Sequence, residues 1–267
     1  MIDFVRKETY GLNDLKNIVA LLRGPGGCPW DAEQTHEGIR RDLLEECYEV
    51  VEAINQKNSE HLQEELGDVL LQVVFLSQLE QEAGRFDFEA VADGICKKLI
   101  FRHPHVFGDV SVADSAEVLV NWEILKRKEK RQDSTADAVE SVPHTLPALW
   151  RAEKIVSKTA KAGFDWSSAL SALGKLEEEV RELRTALEAG EAPDAPHGVR
   201  EELGDLLFIT AKVAQMSGVD PEDALHGACD KFDARFRRVE AAADKPLGEY
   251  TEAELVNLWR AAKNEES

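Results

Sequence analysis

The segment EELGDVLL at 64–71 returns as EELGDLLF at 201–208, almost letter for letter. Upstream, LLEECYEVVEAI at 43–54 and KLEEEVRELRTA at 175–186 share their spacing of glutamates. Downstream, CKKLIFR at 96–102 lines up with CDKFDAR at 229–235, and Trp30 and Trp166 stand at comparable distances before the two acidic runs. Matches that recur in one order mark an internal duplication. Each half is then one structural unit, and its periodicity says what kind.

That periodicity is helical. Leu12, Leu15, Ile18, Val19 and Leu22 lie at helix spacing and stop at the cluster Gly24-Pro25-Gly26-Gly27. The cluster lacks the GK[ST] ending of a phosphate loop and opens into Cys28-Pro29-Trp30-Asp31, so it reads as a turn. Further helices are predicted over 37–56, from an N-cap at Ser59 to about Ala83 before Gly84, over 88–102 before Pro104, and from Ser115 into the basic run KRKEKR. The apolar centre VLLQVVFL marks the buried helix of the first half. The second half repeats the order over 148–161, 169–188, 199–216 and 221–243, with a closing helix from Glu252 to about Lys263. No stretch alternates with period two. The reading is all-α: two tandem helical units at 1–131 and 148–267, joined by a linker at 132–147 that loses periodicity and carries Pro143 and Pro147.

The chain is 267 residues long, enough for a sizeable core, and carries 52 acidic against 32 basic residues for a formal charge of −20. That excess argues against a nucleic-acid backbone or an anionic membrane as principal partner, but not against a small anion met by a metal and local bases. Cys28, Cys47, Cys96 and Cys229 are scattered with no CxxC spacing, which reads as reduced thiols in a cytoplasmic protein. The residues 1–10 carry charges and no apolar run of signal-peptide kind, and the longest apolar stretch, 69–76, is far short of the about 20 residues a bilayer needs.

Within 175–205 the acidic residues are spaced to converge. Glu178, Glu179 and Glu182 fall at i, i+1 and i+4, and Glu202 and Asp205 at i and i+3. Residues three or four apart share a helix face, so two neighbouring helices aim these carboxylates at one point. A single helical glutamate is ordinarily a solvated one. Here each ELGD is followed at once by the most apolar segment of its half, and the whole set recurs as Glu45, Glu46, Glu49, Glu65 and Asp68. Carboxylates without His or Cys select a hard cation, Mg²⁺ or in its place Mn²⁺, and Mg²⁺ so held commonly bridges to phosphates. Phosphates also need bases. Lys231 and Arg235 share a face at i and i+4, Lys98 and Arg102 repeat the spacing in the first half, and Lys175 lies four residues before Glu179. Trp259 is either a core residue or a platform for a base, and His103-Pro104-His105 reads as a helix end rather than a metal site.

The EExxE-spacer-ExxD pattern, duplicated, together with GCPWD, GRFDF and RHPHVF, resembles the MazG-type all-α nucleoside triphosphate pyrophosphohydrolases, and the resemblance runs along essentially the whole chain. It implies a homodimer that hydrolyses nucleoside triphosphates to the monophosphate and pyrophosphate with Mg²⁺. Carried onto this sequence, Glu179, Glu182, Glu202 and Asp205 become the metal ligands and Glu178 the group that orients or deprotonates water. Lys175, Arg200, Glu201, Lys231, Arg235 and Trp259 join Glu178, Glu179 and Asp205 on the nucleotide. The resemblance also places the activity in the second half. The residues agree: Asp42 stands in the first half where Lys175 does in the second, and Gln63 where Arg200 does. A triphosphate brings about four negative charges, and the more basic copy screens them better. The competing readings are a non-catalytic helical dimer with an acidic regulatory face, and a narrower enzyme acting on one deoxynucleotide or on phosphoribosyl-ATP.

Overall fold

The computed structural model describes residues 4–130, 132–190 and 192–264. Among the described residues the backbone is helices and loops with no strand. The chain divides into two compact units, Met1–Lys126 and Arg127–Ser267. Among the described residues no helix is long and apolar enough to cross a membrane.

The first unit contains α1 (Leu12–Arg23), the short α2 (Pro29–Glu33), α3 (His36–Asn55), α4 (Ser59–Glu82), α5 (Phe88–Arg102), the single turn α6 (Pro104–Phe107) and most of α7 (Ser115–Glu129). Local chemistry sets most of these ends. Thr35 caps α3 by accepting from the Gly38 amide, and Asp87 caps α5 by accepting from Ala90. The cap of α4 is Asn58, which accepts from His61; Ser59, the expected cap, is already the first helical residue. Gly84 then ends the segment at φ +69°, the left-handed conformation that favours glycine. The glycine cluster after α1 is a turn, closed by the Cys28 amide donating to the Leu22 carbonyl, but Pro29 then starts α2, which periodicity did not reveal. The core packs Val19 of α1, Ile39 of α3 and Val74, Phe75 and Leu79 of α4 together, with Leu15, Leu71, Leu76 and Phe88 around them. Burying each of these large side chains contributes about 1.5–3 kcal/mol. α4 is the central helix, as its apolar run predicted.

The second unit has α8 (Thr135–Glu140), α9 (Ala148–Lys161), α10 (Ala169–Ala189), α11 (Val199–Met216), α12 (Pro221–Ala242), a 3-10 turn Leu247–Glu249 and α13 (Glu252–Asn264). Here the expected linker is corrected. Residues 132–147 hold α8, capped reciprocally by Ser134 and Asp137, and they bury Ala138 and Val142. The unit boundary falls earlier, between Lys126 and Arg127. A six-residue helix spans fewer than two turns, too few for periodicity to register. Elsewhere α10 packs closely along α11, α9 lies on α11 and α12, and α13 lies on α12. Asp220 caps α12 through the Glu222 and Asp223 amides and also accepts from the Trp150 indole at 3.0 Å, which ties the start of α12 to α9.

Candidate active site

The site in the second unit is built by the α10–α11 hairpin. Ser168 starts α10 by accepting from the Ser171 amide, and Gly190 ends it at φ +66°. The chain then folds tightly before α11: the Gly198 amide donates to Ala195 and the Arg200 amide to Pro193. A Cβ at Gly198 would come within 2.7 Å of the Ala195 carbonyl oxygen, so this close approach needs glycine. The two helices now face each other with their acidic stripes inward. Oxygens of Glu179, Glu202 and Asp205 lie within 4.8 Å of one another, and Glu179 and Glu202 are buried. They line a cleft of about 550 Å³ with Lys175, Glu182, Thr185, His197 and Glu201.

Lys175 sets the local electrostatics. Its Nζ lies 2.9 Å from Glu178 Oε1 and 2.8 Å from Glu179 Oε1. The ammonium holds the Glu178 carboxyl below its ordinary value, while the two carboxylates push the lysine up. Glu182 moves the other way: loss of water raises it, and Glu179 and Glu178 add to the rise. Converging carboxylates, two of them buried, with Glu182 beside them raised first by loss of water, fit an oxygen-coordinated divalent cation. Glu179, Glu202 and Asp205 are placed to hold it, with Glu182 beside them.

Not every expected residue reaches this cleft. Arg200 instead pairs with Asp194 in the α10–α11 connection. Lys231, Arg235 and Trp259 are not among the lining residues; they belong to α12 and α13, where Trp259 packs 5.0 Å from Phe232 and the Arg235 guanidinium stands 5.9 Å from the indole. Spacing along a helix shows which residues share a face, but not which helix that face meets. His197 was missed. Its backbone amide donates to Glu201 Oε2 at 2.8 Å and its ring lies 3.8 Å from Glu202 Oε1. It sits in an irregular connection at φ +55°, where periodicity carries no signal.

The first unit repeats the core of the arrangement on α3 and α4. Oxygens of Glu46, Glu49 and Glu65 lie within 4.8 Å of one another. Glu65 is 6% exposed; its Oε1 is 3.0 Å from His61 Nε2, and its Oε2 has no hydrogen-bond partner among the described residues. Leaving a buried polar atom unpaired costs about 1–3 kcal/mol in general, and a cation would satisfy this one. Loss of water raises Glu46, with Asp68, Glu49 and Glu65 adding; loss of water likewise raises Glu65, with Glu49 adding. Glu45 and Lys98 are exposed. Arg102 is 8% exposed and covers Trp122 at 5.1 Å, with Lys126 on the same ring at 4.7 Å. The expected phosphate role for Arg102 therefore meets a guanidinium already packed away. Arg102 on Trp122 parallels Arg235 on Trp259, an extension of the duplication that the sequence comparison did not reach.

Residues 34–107 and again 167–239 match the MazG nucleotide pyrophosphohydrolase domain. The chain is 42% identical over 259 residues to the nucleoside triphosphate pyrophosphohydrolase of Escherichia coli (strain K12), covering 96% of this chain and 98% of that protein. It is 42% identical over 253 residues to the nucleoside triphosphate pyrophosphohydrolase/pyrophosphatase MazG of Thermotoga maritima, covering 94% of each. A shorter match, 40% over 154 residues, links it to the nucleoside triphosphate pyrophosphohydrolase of Mycolicibacterium smegmatis, over 57% of this chain and 47% of that protein. With two domain matches in tandem and relatives similar along nearly its whole length, the chain belongs to the MazG nucleotide pyrophosphohydrolase family.

Proposed function

We propose that this chain hydrolyses nucleoside triphosphates, ribo- or deoxyribo-, to the monophosphate and pyrophosphate, by attack of water at the α-phosphorus in the second unit. The observation that carries the reading is the meeting of Glu179, Glu202 and Asp205 within 4.8 Å in the matched domain. A hard divalent cation bound there, Mg²⁺ in this proposal, would polarise phosphoryl oxygen and lower the pKa of water.

The chain's own residues do the rest. Glu202 and Asp205 project from the first two turns of α11, whose N-terminal amides and dipole also favour an anion. Lys175 lines the same cleft and offers a mobile ammonium to the phosphates. Glu178, kept ionised by Lys175, is an acceptor that orients the attacking water. Lys231 and Arg235 take phosphate and Trp259 the base; this rests on the family pattern and on the repeated Lys98 and Arg102 spacing.

The proposal includes a homodimer. Leu203 and Leu207 on α11 are 43% and 47% exposed, and their repeat counterparts Leu66 and Leu70 on α4 are 52% and 38% exposed. Apolar residues left uncovered at equivalent positions of both halves support a shared contact face. A cytoplasmic location and a role in clearing unwanted nucleotides complete the reading.

The test is product analysis across a nucleotide panel with Mg²⁺ in ¹⁸O-labelled water. Monophosphate carrying the label, together with pyrophosphate, is the expected result. Diphosphate and orthophosphate as the products would overturn the reaction, and absence of turnover with every nucleotide would favour the non-catalytic dimer.

A further inference from the structure

The two units differ at one position in a way the cleft makes consequential. Lys175 of α10 has its ammonium on both Glu178 and Glu179, at 2.9 and 2.8 Å, while the repeat counterpart on α3 is Asp42. Glu179 is also one of the three carboxylates whose oxygens converge, and it is buried. A cation entering among Glu179, Glu202 and Asp205 must share Glu179 with the lysine or move it. Sharing places two positive charges on one carboxylate in a partly enclosed cleft, which is unfavourable. Moving it is easy in mechanical terms: the ammonium ends a flexible four-carbon stem, and the side chain is 37% exposed on the cleft wall.

We propose that Lys175 is an internal counter-cation that couples metal binding to nucleotide binding. The ammonium neutralises Glu178 and Glu179 and competes with the metal for Glu179. When the metal takes Glu179, Lys175 turns to the triphosphate, and Glu178 regains the oxygen that Lys175 held, free to accept from water. Metal alone therefore binds against the lysine, whereas metal with nucleotide binds with it. By linkage the effect is reciprocal: each ligand raises affinity for the other. At the equivalent position the first unit carries Asp42, which adds a negative charge where the second unit has a positive one. This inference rests on the proposed reading of the second-unit site.

The experiment measures Mn²⁺ binding to the full chain by electron paramagnetic resonance, without and with a non-hydrolysable α,β-methylene triphosphate. Glu49→Gln and Glu65→Gln are present throughout to silence the first-unit cluster. Lys175→Met, which keeps the stem and removes the charge, is expected to tighten binding of Mn²⁺ alone by about tenfold, and to shrink the gain from nucleotide by a similar factor. Lys175→Arg is expected to stay close to the parent. If Mn²⁺ alone binds Lys175→Met no more tightly than the parent, or if both substitutions shift affinity alike, the counter-cation role is wrong while the metal site stands. If the parent binds no Mn²⁺ even with nucleotide, the site reading fails, and the coupling with it.

Discussion

The ammonium of Lys212, 1% exposed, lies 2.5 Å from Asp165 Oδ1. In the repeat, Lys212 occupies the place of Phe75, the aromatic in the core of the first unit. There a cation comes instead from α1: Arg23 stands 5.1 Å from the Phe75 ring, pairs with Glu82 and donates to the Asp31 and Gln34 carbonyls. Both units thus use a buried cation to fix the segment that leads into the acidic helix. Asp165 is held below its ordinary value by Lys212, and Lys212 also donates to Gln215.

Removing one partner of such a pair leaves the other uncompensated. Asp165→Asn is expected to destabilise the second unit by about 3 kcal/mol, because it strands a buried ammonium. Lys212→Met fills the same space without a charge and leaves Asp165, whose side chain is 30% exposed, to water. It should cost clearly less. Urea denaturation of both variants checks the order, and a larger loss for Lys212→Met would contradict it.

Glu179→Gln and Asp205→Asn keep side-chain volume while removing one carboxylate each from the convergent set. Turnover should fall about 10²-fold or more, equivalent to several kcal/mol of charge stabilisation. The paired first-unit change, Glu65→Gln, should leave most turnover in place. Full activity in either second-unit variant would move the reaction elsewhere.

The first-unit cluster makes a prediction about pH. Glu65 and Glu46 are held above the ordinary glutamate value of 4.5, so they bind protons more tightly folded than unfolded. Their destabilising effect is absent below that value and grows as pH rises through the shifted one. With a chelator present, Glu65→Gln should therefore gain in melting temperature over the parent as pH increases from about 4 to 7. Mg²⁺ or Mn²⁺ should narrow that gap by stabilising the parent alone. A gap that is flat with pH would show that the cluster is not strained.

Leu203→Asp with Leu207→Asp places charges on the exposed apolar face of α11. If that face joins two copies, sedimentation should show the mass falling from twice 29.7 kDa to 29.7 kDa. An unchanged sedimentation coefficient would remove this surface from the dimer.

The helices and their duplication were legible because burial imposes a period on sequence. The spans 88–102, 148–161 and 199–216 match α5, α9 and α11 at both ends. Elements below two turns, α2, α6 and α8, left no periodic trace, and α8 turned an expected linker into part of a unit. The carboxylates were legible for a related reason. Glu202 and Asp205, or Glu179 and Glu182, declare a common face by spacing alone.

What spacing could not supply is the partner of each face. The packing of α10 on α11 decided that Glu179, Glu202 and Asp205 meet, and the fold of the connection decided that His197 joins them. The turn of the α10–α11 connection sent Arg200 to Asp194, and the packing of α13 on α12 left Arg235 on Trp259. The sequence by itself determined which residues share a helix face, because that follows from 3.6 residues per turn. Only the tertiary structure decided which faces meet, because long basic side chains take the carboxylate or ring that packing brings within reach, whatever their distance in sequence.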